Sequence, residues 1–88
     1  MKTHEIKLSI EFCDDVFSGA KSFEIRNNDR NYQIGDIIRF IPVSRNGLHI
    51  HHSVENKKYV ITYILSGWGL KEGYVALGIT EVKEEENK

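Results

Sequence analysis

Apolar and polar positions alternate with a period of two in several short runs of this chain, and the period changes once. "THEIKLS" (3–9) sets Ile6 and Leu8 against polar neighbours, the rhythm of a half-buried strand. In "IEFCDDVFSG" (10–19), Phe12, Val16 and Phe17 fall at i, i+4 and i+5, one face of a short helix. Ser9 stands where an N-cap hydroxyl would accept a first-turn amide, and Gly19 where a glycine would end the helix. Period two returns in "KSFEIRN" (21–27), predicting a strand with Phe23 and Ile25 on its core face and Ser22, Glu24 and Arg26 on the other.

The second half reads as strands and turns. "NNDRNYQIGD" (27–36) is turn chemistry, in which Gly35 lets the chain enter the next strand and Asp36 can hydrogen-bond the turn. "DIIRFIPV" (36–43) is a nearly continuous apolar strand whose Pro42 pushes its end towards an edge or a bulge. "SRNGLHIHHSVEN" (44–56) holds an Asn-Gly pair, a hairpin signal. "KKYVITYILS" (57–66) is a long aromatic and β-branched strand, "GWGLKEG" (67–73) a glycine-rich loop with the only Trp, and "YVALGIT" (74–80) the last strand. Five or so strands and one early helix, spaced too tightly for βαβ crossovers, predict an α+β fold: a small, mostly antiparallel β-barrel or curled sheet with one N-terminal helix packed on it.

At 88 residues the chain makes one domain, placed at 1–80, with a thin core. No apolar run approaches the roughly 20 residues of a membrane span, and the N-terminus lacks the apolar core of a signal peptide, so a cytoplasmic protein is expected. The net charge of −1 argues against strong duplex-DNA binding. That charge is uneven. "EVKEEENK" (81–88) carries four Glu and two Lys, hence −2, which leaves +1 on 1–80; the segment reads as an acidic, disordered tail. Cys13 is the only cysteine, which excludes an internal disulfide and a thiolate cluster, and its acidic neighbours Asp14 and Asp15 speak against a catalytic thiol.

The charges of 21–26 have two readings. One is a solvated strand face; the other is a cleft lined by Lys21, Glu24 and Arg26. Lys21 has the parity of the predicted core side, so it joins the charged face only from the turn after Gly19. "GAKSFEIR" resembles the G-x-K-x-x-E-x-R signature of ASCH domains, the small β-barrel group of the PUA-like superfamily. With "THEIKL", "SGAKSFEIRNNDRNYQIGDII" and "VITYILSG…GLKEGYVALGI", the chain over roughly 3–79 resembles the small bacterial and phage family DUF3850. The resemblance implies a cleft between barrel and helix that binds RNA or a nucleotide. There Lys21 and Arg26 would meet phosphate or a base edge, and Glu24 would orient them. Arg30 could extend this surface. An enzymatic branch of the superfamily removes the acetyl group of N4-acetylcytidine with a Lys, a Thr nucleophile and a Glu. The Lys matches Lys21, the Thr falls at Glu24, which has no hydroxyl, and the Glu has only Glu72 as a candidate, by loop position. Hydrolysis of a modified nucleoside is therefore an alternative, and a protein-interaction module a further one.

Other residues complete the candidate set. His4 could face the cleft or cap a sheet edge. Tyr32 and Trp68 are loop aromatics on which a base could stack, and Trp68 could equally be a lid on the core. His49 and His51 of "HIHH" share a face if extended, with Glu55 the nearest acid, and read as a polar hairpin arm rather than a metal site. No cofactor motif is present in the sequence.

Overall fold

The computed structural model describes residues 1–83, and its secondary structure follows the predicted order closely. Strand β1 (Thr3–Ser9) leads directly into helix α1 (Ile10–Ser18), followed by β2 (Phe23–Asn27), β3 (Ile37–Val43), a 3₁₀ turn at Ser53–Asn56, β4 (Lys58–Ser66) and β5 (Tyr74–Val82). The five strands form one mixed sheet in the order β1-β3-β4-β5-β2. β1 pairs parallel to β3, and the other three pairings are antiparallel. The sheet is thus mostly antiparallel, with one parallel pair: β1 and β3 are joined by a crossover containing both α1 and β2. The α+β class holds, but the sheet is not closed into a barrel; no ladder joins its two edge strands, β1 and β2, among the described residues.

Two arginines span that gap instead. The Arg26 guanidinium on β2 donates to the Lys7 carbonyl, and Arg30 Nη1 donates to the Glu5 carbonyl at 3.1 Å. Glu5 and Lys7 are two residues apart on β1, so their carbonyls point to the same side of the strand. Side chains from β2 and its following turn thus satisfy the acceptors that a sixth strand would otherwise take up.

Inside the curl lie Ile6, Leu8, Ile38, Phe40, Ile61, Leu77 and Ile79, with Cys13 and Val16 as the inward face of α1. The helix thus buries Cys13 and Val16, while Phe12 and Phe17, predicted to share its core face with Val16, stay partly exposed on its flanks. Ser9 precedes the helix in extended conformation without a side-chain cap bond, and Gly19 ends it at φ 90° with its N–H on the Val16 carbonyl. Lys57 covers the helix end, its ammonium on the Phe17 carbonyl at 3.0 Å and over the Phe17 ring. Burial raises the Cys13 thiol above its ordinary value, and its Sγ donates to the Ser9 carbonyl, as suits an inert core group. Tyr59, whose hydroxyl donates to the Val16 carbonyl at 3.4 Å, is pushed up to about 12 by burial.

Pro42 lies inside β3 opposite Leu8 of β1, but β4 pairs only with Ile37 and Ile38, so the missing amide falls where the strand has lost that neighbour. The Asn-Gly turn folds back with Ser44 N–H on the Leu48 carbonyl and a single bridge between Val43 and His49, short of a two-stranded hairpin. β5 continues through Val82, and Glu81 pairs with Lys57 at 3.1 Å, so the first residues of the predicted tail belong to the sheet. Residues 84–88 of that tail lie outside the described residues. No helix among them is long and apolar enough to cross a membrane.

Candidate functional site

β2 is turned over relative to its predicted orientation. Glu24 points inward and is 4% exposed, whereas Phe23 and Ile25 face out at 46% and 50%. The inversion places a carboxylate where the pattern called for an apolar side chain, and that carboxylate must be paired. Glu24 is paired on both oxygens: the Lys21 ammonium donates to Oε1, and Arg26 Nε donates to Oε2 at 2.9 Å. Lys21 reaches it from the turn between α1 and β2, as its parity required. Its backbone N–H is held by the Asp15 carbonyl at 3.0 Å, so the end of the helix fixes the residue's position.

The Lys21 ammonium is further confined. It donates to the Phe23 carbonyl at 2.8 Å and lies 5.2 Å from the Phe12 ring centroid and 4.8 Å from that of Phe23. Both contacts are within cation–π range. These groups border a cleft of about 500 Å³ lined by Leu8, Phe12, Phe23, Asn27 and Tyr74 as well as the charged trio. An apolar wall with a few fixed polar groups is the general make-up of a small-molecule site. Two cations and one anion leave the trio at +1.

A second depression of about 450 Å³ adjoins the first at Tyr74, which lines both; Asn28, Ser66, Lys71 and Glu72 line the second. Glu72 therefore sits beside the neighbouring hollow and not in the Lys21 cleft, which corrects its candidacy as a partner of that lysine. Trp68, between Gly67 and Gly69, is 89% exposed, so it is no lid on the core. Tyr32 is the reverse case. It is buried edge-on against the His4 ring, 4.8 Å between centroids, and cannot offer a face to a base.

His4 neither faces the cleft nor caps an edge. It is buried, and its Nε2 donates to Asp36 Oδ2 at 2.8 Å. Asp36 also accepts the N–H groups of Lys2 and Gln33, both at 3.1 Å. Burial alone would raise its carboxyl, but the hydrogen bonds from His4, Lys2 and Gln33 outweigh it and hold the group below its ordinary value. This cluster pins the turn into β3 and belongs to the fold. Arg30, on the Glu5 carbonyl, likewise serves the sheet edge.

The histidines of 49–52 pair with carboxylates. His49 Nε2 and His51 Nδ1 lie 2.9 and 3.2 Å from the two oxygens of Glu55, whose carboxyl the His49 hydrogen bond holds low. No group of three residues able to hold a metal ion occurs among the described residues. His52 accepts the Val54 N–H on Nδ1, so its Nε2 carries the proton donated to Asp14 at 2.8 Å, tying the 3₁₀ turn to α1.

The sequence pattern missed the two phenyl rings around Lys21 and the place of Tyr74 between the hollows. The available signal was the charge content of β2: a strand with Glu24 and Arg26 on one face can turn that face inward when a lysine is within reach.

The crystal structure of hypothetical protein PH0355 has the same fold, with a TM-score of 0.59 over 93% of this chain and 100% of that one, at 20% identity. The uncharacterised 12.9 kDa protein in the GpA 3′ region of Escherichia phage P2 is 46% identical over 37 residues, 42% of this chain. The match spans 34% of that relative's length. Residues 3–79, from β1 into β5, match the domain of unknown function DUF3850. The chain belongs to the DUF3850 family.

Proposed function

We propose that the Lys21–Glu24–Arg26 cleft binds RNA or a nucleotide. The observation that carries this reading is the buried Glu24 carboxylate, which holds two cations in fixed positions at a mostly apolar hollow. An ammonium has three N–H donors, and Glu24 and the Phe23 carbonyl take two from Lys21. A guanidinium has five, and those of Nη1 remain on Arg26 for a phosphate or a base edge. Cations already ordered lose little freedom when a ligand arrives. The "GAKSFEIR" signature supports the same reading through its likeness to ASCH domains, and the sheet curl bridged by Arg26 and Arg30 is compatible with an opened PUA-like barrel.

Hydrolysis of N4-acetylcytidine has weaker support. The cleft offers no hydroxyl in the nucleophile's place, both Glu24 oxygens are engaged, and Glu72 lines the other hollow. An NMR titration with short single-stranded RNAs, mononucleotides and nucleosides including N4-acetylcytidine tests the choice. Shifts centred on Lys21, Glu24 and Arg26, lost in Lys21→Ala and without product, are expected. Product that disappears in Lys21→Ala would make the protein an enzyme. A titration with no shift at these residues would refute the cleft, leaving the exposed apolar side of β2 as a protein-binding face to examine.

A further inference from the structure

Trp68 is costly in its position and useless to the fold. It holds φ 54° between Gly67 at 72° and Gly69 at 90°, a run of three left-handed residues of which two are glycines. A bulky side chain is disfavoured there, whereas Asn31, the other non-glycine at positive φ among the described residues, is a residue that tolerates the conformation. The strain secures no packing, because the indole is 89% exposed. A residue kept in an unfavourable backbone conformation with nothing to pack against points to a role outside the fold.

The surroundings give that role a chemistry. The loop is fixed by a turn bond from Leu70 N–H to the Gly67 carbonyl, and its far end is tied to the start of the β2–β3 turn by Asn28 N–H on the Gly73 carbonyl at 2.8 Å. Gly67 and Leu70 to Gly73 line the second hollow, which meets the Lys21 cleft at Tyr74. Lys71 adds a cation on this side, 5.7 Å from the Tyr74 ring centroid. A charged cleft thus continues past an aromatic ring into a second hollow lined by Lys71 and Glu72, and the exposed indole projects from the chain between two of that hollow's lining residues, Gly67 and Leu70. Successive cations and aromatic faces are what a single nucleic-acid strand meets on its binding surfaces, the cations following phosphates and the rings stacking bases.

We infer that the second hollow and Trp68 form a subsite for a neighbouring nucleotide, so that the ligand is a single strand of two or more nucleotides rather than a mononucleotide. This rests on the cleft reading proposed above. Lys71 faces the connecting phosphate, and the Trp68 indole stacks on the second base.

Trp68 is the only tryptophan, so its fluorescence reports the subsite without interference. Uridine and adenosine mononucleotides, dinucleotides and tetranucleotides are titrated at low salt, following both indole fluorescence and the amides of Lys21, Glu24 and Arg26. Dinucleotides and longer strands should quench the indole and bind about fivefold or more tighter than mononucleotides, the gain expected of one stacked base. Trp68→Ala should lose that gain and leave mononucleotide affinity unchanged, and Trp68→Phe should restore part of it. Shifts at the cleft without quenching, at an affinity independent of length, would overturn the subsite and leave the cleft standing. No shift at the cleft with any of these ligands would overturn both.

Discussion

At the scale of single residues, two carboxylates are buried among the described residues, Glu24 and Asp36, and each is held in a different way. Glu24 is held by charges. Replacing it with Gln keeps the volume but leaves Lys21 and Arg26 facing each other without a counter-charge. Removing one partner of a buried ion pair costs about 3–5 kcal/mol. The two cations are 16% and 25% exposed, so water relieves part of the repulsion and a loss of about 2–3 kcal/mol is expected. A shift of the urea midpoint measures it; a loss below about 0.5 kcal/mol would mean that the trio is solvated like a surface pair. Asp36 is held by hydrogen bonds from His4, Lys2 and Gln33, which depress its folded carboxyl below 3.8. A depressed carboxyl stabilises the fold at any pH above its unfolded value, and that contribution disappears as pH falls through the lower folded value. Unfolding free energy should therefore decline with acid below about pH 4. Asp36→Asn should flatten this acid limb while lowering stability at neutral pH, as followed by denaturant melts at stepped pH.

At the scale of elements, spacing alone located nearly everything but could not orient it. The alternation in "KSFEIRN" predicts a strand at 21–27, and β2 spans Phe23–Asn27. Alternation specifies two faces but not which one is buried, and the default that phenylalanine and isoleucine go inside failed because Lys21 and Arg26 satisfy Glu24 in the interior. The same limit applies to α1. Its i, i+4 spacing identifies a helix, yet the buried stripe runs through Cys13 and Val16, with Phe12 and Phe17 drawn aside as platforms for Lys21 and Lys57. β5 shows what spacing does capture. Its alternation sets Val75, Leu77 and Ile79 on the buried face of a strand located by pattern. Gly78 leaves room beside the register shift of β4, where an added Cβ would come within 3.2 Å of Tyr63 Cβ. The pairing of β1 with β3 was hidden for a different reason: it depends on contacts between segments separated by the whole of α1 and β2, which local pattern does not record.

At the scale of the whole molecule, charge limits what the cleft can do. The chain carries −1 in all, so no net positive charge assists the site, and the nucleic-acid affinity proposed here rests on the few cations at the two hollows. Lys21 and Arg26 less Glu24 contribute about one unit, and Lys71, with Glu72 beside it in the second hollow, at most about one more, so a bound strand would displace no more than about two counterions. For single strands the logarithm of affinity falls with that of salt at a slope near −0.7 for each neutralised phosphate, giving about −1.4 at most. Between 50 and 200 mM salt this predicts only about a sevenfold weakening, against the thousandfold or more of a protein that makes many phosphate contacts. Measuring dinucleotide and tetranucleotide affinity by indole fluorescence across that range gives the slope directly. A slope steeper than about −3 would require a cationic surface beyond these hollows. A flat one would mean that the ligand is held by its base rather than its phosphate, which would redirect attention to an uncharged nucleoside at Phe12, Phe23 and Tyr74. The shallow slope is the expected result because a single buried carboxylate already takes half the charge of the cleft's two cations, leaving a site that depends on shape and stacking as much as on attraction.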